Sequence, residues 1–160
     1  MSRIIALTQG YQTEVDDADY EWLSKYKWCA QINQGALAKH VYAVRGVGGR
    51  KNKRLQHMAR LLLGIDGEDH LLVKADHRNG NTLDNQRHNL RVVNNNQHAE
   101  NQHGAHKDST TGVRGVRKHR NKYQVYVKYT VYGTYDTVEE AAAKAREIRS
   151  ILMTHSEMDK

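Results

Sequence analysis

The chain has 160 residues, enough for one medium domain or two small ones. Its formal net charge of +7 and pI near 9.5 favour a polyanionic partner, because Lys and Arg release counterions when they pair with phosphates; a ribosomal, RNA-binding or membrane-surface protein would share that balance. One cysteine, Cys29, excludes an internal disulfide and a zinc site built mainly from thiolates, whereas ten histidines leave a His-rich metal site open.

No run approaches the ~20 apolar residues that span a bilayer. The start, Met1-Ser2-Arg3-Ile4-Ile5, has no signal-peptide core, so a soluble cytoplasmic protein without a membrane partner is expected. Phe and Pro are absent and Tyr is abundant, which suits thin cores and wet binding faces.

In chain order, residues 4–15 read as one or two short strands around Gly10. Asp16 and Asp17 then cap a helix running to about Lys25, with Trp22, Leu23 and Tyr26 on its apolar face. Residues 28–45 alternate as a hairpin, and residues 46–53 form a basic turn. Residues 55–63 predict a short apolar helix ended by Gly64. A strand over residues 71–74, a polar loop over 78–88, a second strand over 90–93 and a polar helix from about Asn94 follow. A turn-rich linker is expected at residues 103–109. Beyond it, residues 112–118, 122–130 and 131–135 read as three strands. Thr137 and Glu140 form a capping box that opens an Ala-rich helix.

The most informative stretch is residues 73–101. It contains Asp76-His77, Asn79-Gly80-Asn81, Leu83-Asp84-Asn85 and Asn89-Leu90-Arg91, then a helix with His98 and Asn101 three apart on one face. This run resembles the HNH homing endonucleases, also called ββα-metal or His-Me finger nucleases, of phage and intron origin. Leu7-Thr8-Gln9-Gly10, Val15-Asp16-Asp17 and Trp28 resemble their lead-in, which extends the likeness over most of residues 4–104.

The resemblance implies a DNA endonuclease using one Mg2+ or Mn2+ per active site and no organic cofactor. Neutral imidazole near pH 7 suits His77 as the general base. A carboxylate such as Asp76 suits a hard divalent cation, and the family pattern puts His98 on the metal beside it. Asn89 is implied as a positional residue that ties down the loop and orients His77. The segment Met58-Ala59-Arg60 matches a family Met-His-Arg, so Ala59 departs from the pattern and Arg60 is expected at DNA.

Residues 109–149 resemble the Apetala, or ethylene-response-factor, DNA-binding domain through Val113-Arg114-Gly115-Val116-Arg117, Tyr132-Gly133-Thr134-Tyr135 and Thr137-Val138-Glu139-Glu140-Ala141-Ala142. Alternation puts Tyr123, Val125 and Val127 under the helix. It turns Gln124, Tyr126 and Lys128 outward, where Arg114, Arg117 and His119 would join them against double-stranded DNA. Lys122 is expected at phosphates.

The expected fold is therefore α+β. It comprises a ββα-metal nuclease core at about 70–104 with an N-terminal mixed β/α region, and a small three-stranded antiparallel sheet packed on one helix. The expected division is an endonuclease domain over 1–104 and a DNA-binding domain over 105–160. The expected function is site-specific phosphodiester hydrolysis, by a monomer or homodimer of bacteriophage type in a bacterial host. The alternative is a non-catalytic, sequence-specific DNA-binding protein using the same fold as scaffold.

Overall fold

The computed structural model describes residues 1–34, 39–102 and 104–157. His103, at the start of the expected linker, lies outside them. The fold is mixed α+β, built from small antiparallel sheets and four α-helices among the described residues. None of these helices is long and apolar enough to cross a membrane.

Two compact units divide the chain, Met1–His98 and Ala99–Lys160. The first begins with a hairpin of β1 (Ser2–Ala6) and β2 (Gln12–Asp16), joined through a 3-10 turn at Thr8–Gly10. Helix α1 (Asp17–Leu23) follows directly. Asp16 precedes α1 in extended conformation but makes no side-chain cap; its carboxylate accepts instead from the Arg87 backbone N–H at 2.7 Å. Strands β3 (Cys29–Gln34), β4 (Lys39–Val47) and β5 (Arg54–His57) form one antiparallel sheet in that order.

The expected helix over 55–63 is thus shorter. Leu55, Gln56 and His57 pair with β4, and α2 spans only Met58–Leu62. An apolar run this short has no period long enough to separate strand from helix, and pairing with β4 decides. Gly64, at φ 71°, ends the helix in the left-handed conformation that glycine tolerates best.

The core of this unit draws on β1, β2, α1, β3, β4 and α2: Ile5, Val15, Leu23, Ala30, Val41 and Met58 are all buried, with Trp28 just before β3. Ala59 is also buried there and serves packing. Strand β6 (Lys74–His77) starts later than expected, because residues 69–73 turn before it. It pairs antiparallel with β7 (Leu90–Val93), and helix α3 (Asn95–Glu100) follows.

In the second unit, β8 (Val116–His119), β9 (Lys122–Val127) and β10 (Thr130–Tyr135) form a sheet with β9 in the centre. Helix α4 (Val138–Leu152) opens with the Thr137/Glu140 capping box in both directions. Its Ala141 and Ala145 pack on Val116, Val125 and Val127, the face that alternation assigned to the core. Gly115, at φ +78°, ends the approach to β8; a Cβ there would lie 3.3 Å from Val127 Cγ2 and 3.4 Å from Arg149 Nη1.

The boundary falls six residues before the expected position 104, and side chains explain why. Glu100 pairs with Lys128 at 2.7 Å, and Asn101 Oδ1 accepts from the Glu157 N–H at 3.1 Å. The end of α3 therefore belongs with the second unit.

Candidate active site

Antiparallel register sets the local chemistry of β6 and β7. Asp76 lies opposite Arg91, and His77 opposite Leu90. Because successive strand residues face opposite sides, Asp76 shares a face with Arg91 while His77 turns toward the side on which Leu90 joins the core. Both are buried, at 4% and 7% exposure.

Asp76 Oδ2 accepts from Arg91 Nε at 2.8 Å and forms an ion pair with Nη2 at 2.8 Å. Its Oδ1 lies 3.1 Å from His98 Nδ1 on α3. Burial works against the charge of Asp76, but the hydrogen bonds from His98 and Arg91 outweigh it and hold the carboxyl below its usual value. His98 is the accessible member of the pair, with 40% of its side chain exposed.

His77 is governed by burial. Desolvation pushes its imidazole below the ordinary value, against smaller opposing effects from Asn85, Asp76 and Asp84, so burial favours the neutral ring. Its Nε2 lies 3.3 Å from Asn85 Oδ1. Asn85, 2% exposed, donates Nδ2 to Thr13 Oγ1 at 2.8 Å, and Thr13 spends its one hydroxyl proton on the Leu83 carbonyl at 2.7 Å. Thr13 can then only accept from Asn85, which fixes the amide orientation. The amide oxygen facing His77 can only accept in turn. His77 Nε2 is therefore the N–H, and Nδ1 carries the lone pair of the neutral ring.

The loop between β6 and β7 is tied down by its own polar side chains. Asn89 Oδ1 accepts from the Asn79 N–H at 3.0 Å, and Asn89 Nδ2 donates to the Asp84 carbonyl at 2.8 Å. Asn79 Nδ2 reaches Asp84 Oδ2 at 2.8 Å. Backbone bonds from Glu14 to Leu83 and from Asn85 to Glu14 dock the same loop on β2. Asn89 staples the loop, while the side chain beside the His77 ring is Asn85.

The other residues singled out in the sequence lie as follows. Arg60, expected at DNA, donates to the carbonyls of Val73, Ile65 and Glu68 at 2.7–2.8 Å, which ties its guanidinium to the turn before β6. Arg114 precedes β8 and donates to the carbonyls of Ala99, Glu100 and Gln102. This displaces it from the outward sheet face, because the strand begins two residues after it. Lys128 sits in the β9–β10 turn at φ 45°, paired with Glu100 and donating to the Leu152 carbonyl, and so also leaves that face. The turn interrupts the alternation that would have turned it outward.

Arg117, His119, Lys122, Gln124 and Tyr126 do share one face of the second sheet by register and alternation. Arg117 donates to Gln124 Oε1 at 2.6 and 2.8 Å, and its guanidinium lies 4.4 Å from the Tyr126 ring centroid. Lys122 pairs with Asp136 at 2.8 Å.

Arg91, Asn85 and Thr13 were not singled out by sequence. Asn85 and Arg91 stand inside the quoted motifs, yet only the strand register brings Arg91 opposite Asp76. Thr13 carried no local signal.

Asp76 and His98 are the side chains that could hold a cation. Among the described residues no group of three or more His, Cys, Asp or Glu gathers as a metal site. The pair nevertheless fits: two ligands each at ~2.1 Å and at right angles on an octahedral ion lie ~3.0 Å apart, close to the 3.1 Å observed here.

No known protein family, curated protein or solved structure matches the chain in sequence or structure comparison.

Proposed function

We propose that this chain is a metal-dependent DNA endonuclease of the HNH, ββα-metal type, with the second unit acting as a DNA-binding domain. The observation that carries the reading is the Asp76–His98 pair at 3.1 Å, with a buried His77 adjacent in the chain. A divalent ion bound there would polarise the scissile phosphate and neutralise the leaving oxyanion. Asp76 and His98 would be its two protein ligands, leaving other positions to water and phosphate oxygens.

The chain's own groups divide the remaining work. His77 Nδ1 accepts the proton of the attacking water, and the Asn85–Thr13 contacts hold the ring in the required tautomer. Asn89 keeps the intervening loop closed. Arg117, His119, Lys122 and Tyr126 offer DNA a basic, partly aromatic strand face, and the net charge of +7 supports a nucleic-acid partner.

A second reading, a non-catalytic DNA-binding protein on the same scaffold, draws on one observation. Arg91 already neutralises Asp76, and His77 lies almost wholly beneath the surface. A plasmid-nicking assay with Mg2+ and with EDTA separates the two. Cleavage that requires Mg2+ and is lost in Asp76→Asn supports the endonuclease. DNA binding without any cleavage supports the scaffold.

A further inference from the structure

Helix α3 is six residues long, too short to hold itself, since isolated helices below about 12–15 residues are marginal in water. Its amino end is closed locally: Asn94 Oδ1 accepts from the Gln97 N–H and Gln97 Oε1 from the Asn94 N–H, both at 2.9 Å. Asn95 Nδ2 also donates to the Leu71 carbonyl at 2.7 Å. Its carboxyl end has carbonyls that no intrahelical donor reaches.

Arg114 donates to two of them and to one carbonyl just beyond the helix, and the Gln102 N–H also reaches the Ala99 carbonyl at 3.4 Å. Nη2 donates to the Ala99 and Glu100 carbonyls at 3.1 and 2.8 Å, and Nη1 to the Gln102 carbonyl at 2.5 Å. A guanidinium there also opposes the negative end of the helix dipole. Arg114 is itself fixed: its carbonyl accepts from Nη1 of Arg149, a side chain buried on α4. Glu100 is held a second time by Lys128 at 2.7 Å and by the His155 N–H at 3.2 Å. One peptide bond before Ala99 stands His98, whose Nδ1 faces Asp76.

We propose that Arg114 is a positioning residue for the cation site: by capping the carboxyl end of α3 it holds His98 in register with Asp76. This rests on the endonuclease reading. It gives Arg114 a role different from base recognition, and it means that a fragment ending at residue 104, which lacks Arg114, loses cation affinity although it retains Asp76, His77 and His98.

The test is a Mn2+ titration of the full chain without DNA, following free Mn2+ by electron paramagnetic resonance, with far-UV circular dichroism as the check on folding. Arg114→Ala is expected to weaken Mn2+ binding about tenfold, the lower end of what outer support of a metal ligand contributes. Arg114→Lys should recover part of the loss, because an ammonium can still donate to the carbonyls. Arg146→Ala, an exposed charge on α4, should leave the affinity unchanged. If Arg114→Ala does not fold, Lys128→Met, which cuts the second tie to Glu100, carries the test with an expected weakening of Mn2+ binding smaller than that of Arg114→Ala. A folded Arg114→Ala, or in its place a folded Lys128→Met, with wild-type Mn2+ affinity overturns the proposal and leaves the endonuclease reading standing. A wild-type chain whose Mn2+ binding is absent, or is unaffected by Asp76→Asn, overturns both.

Discussion

Thr13 and Asn85 stand 72 positions apart in the chain, yet the Asn85 amide donates to the Thr13 hydroxyl at 2.8 Å. Thr13 is 1% exposed on β2, and its proton goes to the Leu83 carbonyl. The first hairpin thus fixes the orientation of the Asn85 amide, whose oxygen lies 3.3 Å from His77 Nε2.

The most direct expectation concerns the base. His77→Ala should lower Mg2+-dependent nicking at least ~100-fold, the usual lower bound for removing a general base, while leaving DNA affinity nearly unchanged. Nicking rates and gel-shift affinities measured together check it; undiminished cutting would assign the proton transfer elsewhere.

Asn85→Asp tests the orientation. A carboxylate beside His77 Nε2 favours the imidazolium, which raises the pKa of a ring now held low by burial. A general base works only when neutral, so the acidic limb of the nicking profile should move to higher pH. Superimposable pH profiles for the two proteins would remove Asn85 from the proton-transfer step.

The basic strand face makes a separate prediction. Arg117→Ala should weaken DNA binding and relax site choice, at about 1–3 kcal/mol if the guanidinium makes a bidentate base contact. Lys122→Ala should act more uniformly across sequences and reduce the slope of affinity against salt by about one contact. Cleavage-site profiles and salt titrations on both variants distinguish base reading from phosphate contact.

Stability should follow pH through Asp19. Arg87 donates Nε and Nη2 to its two oxygens at 2.7 Å, and Trp22 Nε1 donates at 3.1 Å. The Arg87 hydrogen bond is the chief cause holding the carboxyl below its usual value, against the desolvation that burial imposes. A lowered folded-state pKa contributes stability above the unfolded carboxylate value near ~3.9, and that contribution is lost as pH falls through the folded value. Arg87 is 58% exposed, so solvent screening limits the pair to about 1–2 kcal/mol. In urea unfolding, Asp19→Asn should be less stable than wild type at pH 7, with the gap closing toward pH 2. A gap independent of pH would mean that packing, not charge, fixes Asp19.

Much of the architecture was legible because period and punctuation agreed. Val125 and Val127 alternate inward, Thr137 and Glu140 cap the last helix, and Gly64 ends α2. The errors came where tertiary pairing decided. Leu55 to His57 join a sheet whose edge the local sequence does not announce. Arg114 and Lys128 lie where a strand that is about to begin, or has just ended, no longer alternates. Both then find carbonyls and a carboxylate that no spacing rule could anticipate. Asp76, His77 and His98 were identifiable as candidates from their motif, but their surroundings, Arg91 on one side and Asn85 with Thr13 on the other, required the register.

The Arg91 contact to Asp76 bears on how the proposed site would meet a cation. Many small metal sites gather charges that repel until the ion arrives, so folding waits for metal. Here Arg91 balances the buried carboxylate from the start, and the strands that carry the two residues are already paired. Under the proposed endonuclease reading, a divalent ion arriving beside His98 would enter a finished site instead of completing an unfinished one. Under the proposed reading, EDTA is then expected to stop nicking while leaving the far-UV circular dichroism spectrum unchanged.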